Sequence, residues 1–392
     1  MTRLRLVLVS RRFWPLVGGA ETMMARLAAR FRDHGVETTI LTARWDQAWP
    51  AEFEHMGVRV VRLAQPRQPI WGTLEYMRQL DRWLRRRAGQ FDLVFVSMLK
   101  HDAYAALRAG RRGAFPVVLR AEGAGLGGDV NWQLEARCGA RIKSRCYHAA
   151  ALIAPSRAVE RELIAAGFDR SRIHYIPNGA PIPSERDVAA RRAARRSLAT
   201  SHPALSTADD TPLAVFAGRL DAAKGLGDLV EAWRLVANSH PSARLWLVGD
   251  GPYRAALATQ INDLGLSGSV VLPGAFDNIS QLLVAADVFV LPSWEEGMSL
   301  ALLEAMAQGL PVVASDIPGN RDVVDADCGL LVPARCSDPL SAAMARVFLE
   351  PDRARQLGQN ARARVRDHFS LDRAVDEHLR LFECLCALCP KA

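Results

Sequence analysis

The sequence predicts an α/β protein of two doubly wound domains, because strand-like runs alternate with helix-like segments in two successive series. The chain has 392 residues, and at about 100–200 residues per domain this length indicates two domains. Apolar residues make up 49% and charged residues 23%, a composition typical of a globular rather than a disordered protein. Each series should form right-handed βαβ units and a parallel sheet.

The first series of strand-like runs fills the amino-terminal half of the chain. The run LRLVLVS at 4–10 leads through a Gly-Gly turn into a helix predicted over 21–34. A basic amphipathic helix is predicted over 74–88. The other runs share apolar and β-branched residues and lie at 38–43, 58–63, 91–98, 115–122, 150–156 and 173–177.

The alternation stops after residue 183. Residues 184–211 contain prolines, an arginine-rich helix-like stretch and a polar tail, which together predict an inter-domain linker. We therefore predict an amino-terminal domain at 1–183, a second domain at 212–368 and a final helix within 369–392. The strand-like runs of the second domain lie at 212–220, 243–249, 269–274, 287–293, 310–315 and 329–333.

The charge is unevenly distributed along the chain. The whole sequence has 50 Lys and Arg against 42 Asp and Glu, but residues 1–180 alone carry a net charge of +13 and the remainder −5. The basic half should face an anionic partner, such as nucleic acid, a phospholipid surface or a phosphorylated or acidic small molecule. Nucleic acid is disfavoured because no recognised binding module and no interleaving of aromatic and basic residues is found.

The apolar runs and the cysteines of the sequence bear on the location of the protein and on metal binding. No apolar run reaches the roughly 18 residues of a membrane span, and the amino terminus lacks a signal-peptide core, so we expect a cytoplasmic protein. The seven cysteines show no disulfide framework. Cys384, Cys386 and Cys389 have a spacing that could hold a metal, but their apolar helical context favours small core residues.

Two strand-end loops carry candidate anion-binding residues. In SRRFWPLVGGAE, Gly18 and Gly19 precede a helix, which suits either close approach of an anion to backbone amides or a flexible turn. In AGRLDAAKG, Arg219 ends a buried strand and Lys224 follows five residues later, without an evident internal partner. Two cations on one strand-end loop suit a diphosphate, although two solvated surface charges are the alternative.

A glycine pair in LVGDGP is weaker evidence. This loop, which contains Gly251, resembles a dinucleotide-binding loop, but Arg254 stands where the third glycine would be. By itself it is therefore a poor indication of NAD binding.

The segment LPSWEEGMSLALLEAMAQGLPVVAS at 291–315 is the most informative. From Gly297 to Ser315 the only charge is Glu304, and a buried carboxylate is costly unless it has a hydrogen-bonding partner, such as a ribose diol. Glu296 precedes the helix and can reach a second hydroxyl-rich group. The backbone amides at the helix start suit a phosphate; they belong to Gly297, Met298, Ser299 and Leu300.

These motifs together resemble glycosyltransferase family 4, the glycosyl transferases group 1 type. Glu296 and Glu304, with seven residues between them, match its most diagnostic motif, and AGRLDAAKG, LVGDGP, LPG and IPNGA match in the right order. The resemblance covers nearly the whole chain, since GGAE and the closing helix match the acceptor-side domain. It implies a GT-B fold, in which two Rossmann-like domains face each other across a cleft and the last helix returns to the first domain.

The resemblance also implies roles for single residues. Arg219 and Lys224 would hold the donor diphosphate and stabilise the leaving nucleotide, Glu304 would bind the ribose, and Glu296 would contact the transferred sugar. Gly18 and Gly19 would approach the phosphate or the acceptor. Transfer would retain the anomeric configuration and need no metal ion. The donor would be a UDP-, GDP- or ADP-sugar. The basic charge of the first domain, from RWLRRR at 82–87 and RAGRR at 108–112, suits either solvated helix faces or contact with an anionic or lipid-linked glycan acceptor and with the inner membrane face.

One departure from the family pattern concerns the acceptor side. Many members carry a histidine after the strand that corresponds to PVVLRAEG, whereas this sequence has Arg120 and Glu122 there. His101 is a nearby alternative, and Asp129, in the same glycine-rich loop as Glu122, could orient an acceptor. An epimerase-like Rossmann enzyme and a non-catalytic sugar-nucleotide-binding protein are the competing functions. The missing third glycine opposes the first, and the intact charged residues oppose the second.

Overall fold

The computed structural model describes residues 4–388 and divides into two compact units. The first unit consists of Met1–Asn178 and Leu371–Ala392, and the second of Gly179–Ser370. Each unit is a largely parallel sheet whose strands are joined by helices, which confirms the predicted α/β class with two doubly wound sheets.

The first unit has an eight-stranded sheet of order β3-β4-β2-β1-β5-β6-β7-β8. Its strands are β1 Arg5–Val9, β2 Glu37–Arg44, β3 Glu52–His55, β4 Val58–Ala64, β5 Leu93–Ser97, β6 Val117–Arg120, β7 Ala151–Ala154 and β8 Ile173–Tyr175. Its first six helices are α1 Gly19–Asp33, α2 Pro69–Arg86, α3 His101–Gly113, α4 Asp129–Glu135, α5 Gly139–Cys146 and α6 Arg157–Ala165.

Strand β3 has no counterpart in the sequence-based assignment. It pairs antiparallel with β4 at the sheet edge, through a two-residue turn at Met56 and Gly57. Both turn residues have positive φ, 50° and 73°, which suits the twist of a tight hairpin. Because both faces of β3 are partly exposed, its sequence lacks the apolar run by which the other strands were recognised.

The second unit has a six-stranded, fully parallel sheet of order β11-β10-β9-β12-β13-β14. Its strands are β9 Leu213–Ala217, β10 Arg244–Val248, β11 Val270–Gly274, β12 Val288–Leu291, β13 Val312–Ser315 and β14 Leu330–Val332. Its helices are α7 Val188–Ser201, α8 Leu226–Ser239, α9 Arg254–Asp263, α10 Ser280–Ala285, α11 Leu300–Ala307, α12 Pro318–Arg321, α13 Ser337–Leu349 and α14 Pro351–His368.

Strand order reverses once in each sheet, and this positions the candidate sites. In the second unit the chain runs outward from β9 to β10 and β11, then returns to β12 on the other side of β9. In the first unit β1 lies between β2 and β5 in the same way. In open α/β sheets ligands bind at the carboxyl ends of the strands beside such a reversal. The loops after β1, β5, β9 and β12 are therefore the expected places for bound ligands.

The predicted linker at 184–211 is part of the second unit and holds helix α7. Arg195 on this helix is 1% exposed, because its guanidinium donates to the Ala285 carbonyl at 2.9 Å and to Asp287 Oδ2 at 2.9 Å. Arg186 likewise donates to the Val284 carbonyl at 3.0 Å. An arginine-rich stretch looks solvated in the sequence, but here its charges cap the end of α10 and the start of β12.

The final helix, α15 Leu371–Leu388, belongs to the first unit. Its Phe382 ring lies 5.8 Å from Phe31 on α1 and 5.3 Å from Phe95 on β5. Cys384 is exposed, so the expectation that the cysteines are core residues is wrong for it, and Cys389 lies outside the described residues. The exposed side of an amphipathic helix accommodates a small thiol as readily as the buried side.

Helix α15 also carries a fully buried histidine, His378, which makes stability depend on pH. Its Nδ1 contacts the Ala374 carbonyl at 2.6 Å, and burial lowers the pKa to about 3, with a further contribution from the Arg120 charge. Below about pH 6.5 the unfolded chain binds a proton here that the folded chain does not, so stability decreases as the pH falls toward 3.

We expect the free energy of unfolding to fall by about 1.4 kcal/mol per pH unit below 6.5 through this one group. Urea unfolding of the wild type and of His378→Leu between pH 5 and 7.5 measures it, and the variant should have a shallower slope. Equal slopes for wild type and His378→Leu would contradict the assignment.

Candidate functional site

The loops after β9 and β12 meet at the strand-order reversal of the second unit. Gly225 has a φ of +65°, and a Cβ at this position would lie 2.1 Å from the Pro292 carbonyl oxygen. The Trp294 amide donates to the Ala223 carbonyl at 2.9 Å, which joins the two loops side by side. A glycine in the left-handed region is therefore required for this approach. It brings Lys224 next to the segment that carries Glu296.

Lys224 and Glu296 form an ion pair across these two loops. Lys224 Nζ lies 2.7 Å from Glu296 Oε1, and the Ser293 hydroxyl donates to the same oxygen at 2.7 Å. The Glu296 side chain is 8% exposed and that of Lys224 28%. The expectation that Lys224 lacks an internal partner is thus wrong, because 72 residues separate the pair and only the fold brings them together. Ser293, whose hydroxyl orients Glu296, was not recognised from the sequence.

Arg219 lies after β9 with its side chain 62% exposed. Its Nε is 3.9 Å from Asp221 Oδ2, a distance at which the attraction in solvent is weak. The guanidinium therefore keeps most of its hydrogen-bonding capacity for an incoming anion. Arg219 and Lys224 belong to one loop, as the spacing predicted, but they differ in exposure and in partner.

Gly251 has a packing role that the sequence did not indicate. A Cβ on Gly251 would lie 2.2 Å from the Leu220 carbonyl oxygen, so the loop after β10 packs against the loop after β9. The Leu220 amide donates to the Asp250 carbonyl at 3.0 Å. Arg254, at the place of the third glycine of a dinucleotide loop, begins α9 and donates to the Leu272 carbonyl at 2.8 Å. These contacts hold the Arg219 loop in place.

Helix α11 follows the Glu296 loop. Ser299 caps it by accepting a hydrogen bond from the Leu302 amide at 3.3 Å, while Gly297 and Met298 are buried just before it. The helix begins at Leu300. Glu304 is half-buried rather than buried, so the expectation of a fully desolvated carboxylate is wrong. The start of α11, Lys224 and Arg219 thus lie at one end of the sheet, with the carboxylates of Glu296 and Glu304 in the same segment as the helix start.

In the first unit, the loop after β1 ends at Gly18 and Gly19. Gly18 is the N-cap of α1, and a Cβ there would lie 2.4 Å from Glu21 Oε2. Glu21 is 8% exposed, and its Oε1 is 3.9 Å from Arg12 Nε. A Cβ on Gly19, by contrast, would meet nothing within 4 Å. Gly18 thus makes room for Glu21, and Gly19 leaves open space at the helix start.

Arg120 and Glu122 form a buried ion pair at the carboxyl end of β6. Arg120 is fully buried, with its Nε 3.2 Å from Glu122 Oε1 and its other end hydrogen-bonded to Asn178. Ser97 donates to Glu122 Oε1 at 2.8 Å. Burial raises the pKa of Glu122 above its usual range, although the Arg120 charge opposes the rise. Arg120 is accordingly a positioning residue for Glu122. Asn178 was missed because it lies 58 residues away.

Asp129 connects backbone segments instead of facing solvent. It is 2% exposed and accepts hydrogen bonds from the Leu99 amide at 3.0 Å and the Glu122 amide at 2.7 Å. The expectation that it orients an acceptor is not met by this arrangement, because both carboxylate oxygens accept from backbone amides. Its role is to hold the loops after β5 and β6 together.

His101 begins α3 and is not a surface-loop histidine. Its ring packs edge-on against Trp132 at 5.2 Å, and its Nε2 lies 3.6 Å from Cys138 Sγ. Burial lowers its pKa to about 4, and the positive charges of Arg11 and Lys100 add to the shift. His101 is therefore neutral at physiological pH and can accept or donate a hydrogen bond without carrying charge.

Arg11 is a site residue that the sequence did not single out. It follows β1, and its guanidinium lies 5.2 Å from the Trp45 ring and 5.5 Å from the Tyr76 ring. It also donates to Gln65 Oε1 at 3.2 Å. These contacts fix a cation at the strand-order reversal of the first unit. Its position directly after a buried strand was the available signal.

Comparison with known proteins identifies the family. The model described as "Glycosyl transferases group 1" matches residues 199–364, and "Glycosyl transferase 4-like domain" matches residues 18–179. The chain belongs to glycosyltransferase family 4. The matched ranges include the Lys224–Glu296 pair in one unit and the Gly18, Gly19 and Glu122 loops in the other.

Individual family-4 relatives agree with this assignment. The chain is 32% identical over 187 residues to the lipopolysaccharide core biosynthesis glycosyltransferase LpsE of Rhizobium meliloti, spanning 47% of this chain and 54% of that protein. The chain thus spans about half the length of that relative. It is 26% identical over 377 residues to the GDP-mannose-dependent alpha-(1-6)-phosphatidylinositol monomannoside mannosyltransferase of Mycobacterium tuberculosis, spanning 91% and 92% of the two chains.

A solved structure of low sequence identity shares the fold. Anabaena Alr3699/HepE, in complex with UDP and glucose, superposes with a TM-score of 0.80 at 19% identity, covering 97% of this chain and 100% of that one. The predicted GT-B fold is confirmed by such neighbours.

Proposed function

We propose that this family-4 protein transfers a sugar from a nucleoside-diphosphate donor to a glycan or lipid-linked acceptor, with retention of configuration. The observation that carries the proposal is the Lys224–Glu296 pair at the strand-order reversal of the second unit, beside Arg219 and the start of α11. This strand end offers cations for phosphates and carboxylates for hydroxyl groups. A nucleotide-sugar donor has a diphosphate between its ribose and the transferred sugar, so it needs cations for the diphosphate and carboxylates for the sugar hydroxyls.

The donor would lie along the segment from Arg219 to Glu304. Arg219, Lys224 and the amino end of α11 would hold the diphosphate, with the amides of Gly297, Met298, Ser299 and Leu300 nearby. Glu304 would accept from the ribose hydroxyls, and Glu296 from hydroxyls of the transferred sugar. UDP in the Anabaena structure and GDP-mannose in the name of the Mycobacterium relative favour UDP- or GDP-sugars over ADP-sugars.

The chemistry would rest on electrostatic stabilisation of a departing anion. The bond between the sugar's anomeric carbon and the phosphate oxygen breaks, and the acceptor oxygen bonds to the same face of that carbon. The acceptor's proton passes to the leaving phosphate. Negative charge develops on the diphosphate as the bond breaks, and prearranged cations lower that barrier. Lys224 is held by Glu296 and so needs no reorganisation during the reaction.

The reaction would proceed without a metal ion. We expect sugar transfer to be unchanged after dialysis against a chelator. Loss of activity that Mg²⁺ or Mn²⁺ restores would contradict this part of the proposal.

The acceptor would approach the carboxyl ends of β1, β5 and β6. Gly19 opens toward free space there, Glu122 is fixed by Arg120, and His101 is neutral. An anionic or lipid-linked acceptor suits the basic first unit. In the described part of the chain no helix is long and apolar enough to cross a membrane. We propose that contact with a lipid-linked acceptor is peripheral.

Helix α2 offers a surface for such peripheral contact. Ile70 and Trp71 near its start are 75% and 63% exposed, and its last turn carries Arg85 and Arg86. We expect the protein to sediment with vesicles containing phosphatidylglycerol but not with pure phosphatidylcholine vesicles. Trp71→Ser should reduce the bound fraction several-fold, whereas Leu349→Ser, which removes an exposed apolar residue of the second unit, should not. Equal binding to both vesicle types would argue against the contact.

The direct test is release of nucleoside diphosphate. UDP-, GDP- and ADP-sugars are first ranked by the rise in Tm they produce, because a ligand that binds only the folded state stabilises it. The selected donor is then incubated with glycan and lipid-linked acceptors, and nucleoside diphosphate is measured. Release that depends on acceptor supports a transferase. Tight donor binding without release by any acceptor would instead indicate a sugar-nucleotide-binding protein.

A further inference from the structure

The first unit contains a second candidate binding site at the opposite end of its sheet. A cavity of about 700 Å³ opens at the amino ends of β6 and β7, where Pro116 and Ala150 lie. Arg120 and Glu122, the candidate acceptor-side residues, are at the carboxyl end of the same β6 strand. The cavity is therefore separated from the candidate acceptor side by the length of the strand.

A second cavity of about 560 Å³ adjoins the first. The two share Arg111 and Arg145, so they form one continuous groove between α3 and α5, which we name the amino-edge groove. Five arginines line it, with His148 and Tyr104. The arginines are Arg108, Arg111, Arg112, Arg145 and Arg172.

The charge of the groove is poorly neutralised. The described residues that line the two cavities include no aspartate or glutamate. Arg108 and Arg172 have only distant carboxylate partners, at 3.6 Å to Asp81 and 3.7 Å to Asp169. Over residues 4–388, Arg111 and Arg112 take part in no ion pair. Four of the five arginines are exposed. Arg172 also donates to the Ala149 carbonyl at 3.2 Å, so the donors of Arg108, Arg111 and Arg112 are the most available to a ligand.

An aromatic ring orders part of this groove. The Arg145 guanidinium lies 5.4 Å from the centre of the Tyr104 ring, and Arg141 lies 5.9 Å from it. Stacking restrains the Arg145 side chain, and a restrained guanidinium loses less conformational entropy when it binds. The groove therefore has a partly preorganised cation at the junction of its two cavities.

Helix dipoles account for only some of these charges. Arg111, Arg112 and Arg145 lie in the last turns of α3 and α5, where cations are favourable. Arg172 donates to the Tyr147 and Ala149 carbonyls, at 3.5 and 3.2 Å, and so supports the carboxyl end of α5. Arg108 lies earlier on α3 and is not explained by a helix end. What the five share is the groove they face.

We propose that the amino-edge groove binds phosphate groups, and that its ligand carries at least two of them. Guanidinium groups bind phosphate oxygens in pairs of hydrogen bonds, and five arginines around two joined cavities exceed what a single phosphate needs. The site is independent of the proposed donor site, since all its residues belong to the first unit. It exists whether or not the proposed transferase activity does.

Isothermal titration calorimetry with inorganic diphosphate at low salt tests the site. The Arg219→Ala/Lys224→Ala variant serves as background, so that binding at the proposed donor site does not contribute. We expect the background variant to bind diphosphate. When Arg111→Gln and Arg145→Gln are added to the background, the affinity for diphosphate should fall at least about tenfold. If the donor-site assignment failed, diphosphate binding elsewhere would persist equally in the background and in the groove variants, so the difference between them would still measure the groove.

Two further variants test whether a loss of diphosphate binding is specific to the groove. Arg108→Gln/Arg112→Gln changes only exposed side chains, so it should fold normally and also weaken binding severalfold. Arg59→Gln removes an exposed arginine of the same unit outside the groove, where it pairs with Glu52, and should bind like the background. Diphosphate affinity within twofold of the background for both groove variants, or an equal loss in Arg59→Gln, would overturn the proposal.

A vesicle-binding experiment distinguishes lipid headgroups from soluble phosphorylated compounds as the ligand of the groove. The same variants are sedimented with phosphatidylglycerol-containing vesicles and with phosphatidylcholine vesicles. Joint loss of diphosphate and vesicle binding in the groove variants assigns the site to lipid headgroups. Loss of diphosphate binding alone assigns it to a soluble phosphorylated compound.

Discussion

Replacing Lys224 by alanine should lower kcat/KM about 100- to 1,000-fold, the usual cost of removing one donor to a developing anion. The ammonium group lies at the edge where a leaving diphosphate would sit, and Glu296 fixes its position at 2.7 Å. Arg219→Ala should act in the same direction, because its exposed guanidinium has only a distant partner. The measurement is steady-state kinetics with a verified donor and acceptor.

Stability must be separated from turnover in this test. Lys224→Ala leaves Glu296 without its cation, so some fall in Tm is expected. The Lys224→Ala/Glu296→Gln variant removes the unpaired charge and should recover Tm without recovering turnover. Arg353→Ala, an exposed arginine on α14, is the matched control and should keep wild-type kinetics. Near-wild-type kcat in both Lys224→Ala and Arg219→Ala would show that the diphosphate is held elsewhere.

Glu304→Gln should weaken nucleoside-diphosphate binding by one or two charged hydrogen bonds, about 1.5–3 kcal/mol each. A carboxylate accepts from both hydroxyls of a ribose diol, whereas an amide has one acceptor oxygen and two donors. Because Glu304 is half-buried, neutralising it should change the free energy of unfolding little. Calorimetric titration with UDP and with GDP gives the affinity, and thermal unfolding without ligand gives the stability.

A matched carboxylate makes the Glu304 result specific. Glu350→Gln, an exposed residue just after α13, removes the same charge from the same unit and should bind nucleotide like the wild type. If Glu304→Gln kept wild-type affinity, or if its Tm collapsed without ligand, Glu304 would be a structural residue. The ribose-binding role of α11 would then be abandoned.

The alternation of strands and helices was enough to predict the fold class. Fully buried parallel strands require apolar runs such as RLVLV in β1 and LAVFA in β9, and these are visible without any tertiary information. The family also follows from local motifs, since the spacing of Glu296 and Glu304 is a property of one continuous segment. Edge strand β3 was not predicted, because its partly exposed faces carry no apolar run.

Pairings between distant segments could be decided only by the tertiary structure. Lys224 and Glu296 are each recognisable as charged loop residues, yet their contact depends on Gly225 packing against Pro292. The linker was predicted from its polar composition, but Arg195 is buried, and the Ala285 carbonyl, 90 residues away, accepts one of its hydrogen bonds. Composition predicts only the average exposure of a residue type. A specific hydrogen-bonding partner can bury a single residue whose type is usually exposed.

By itself, the sequence determined where the buried parallel strands lie, which strand-end loops carry charge, and to which family the chain belongs. All of these depend on residues close together in the chain. The tertiary structure decided which charges are paired, how deeply Glu304 and Arg120 are buried, and that five arginines share one groove in the first unit. The physical reason is that burial and electrostatic energy depend on distances in space, which chain spacing does not fix beyond a single helix or turn.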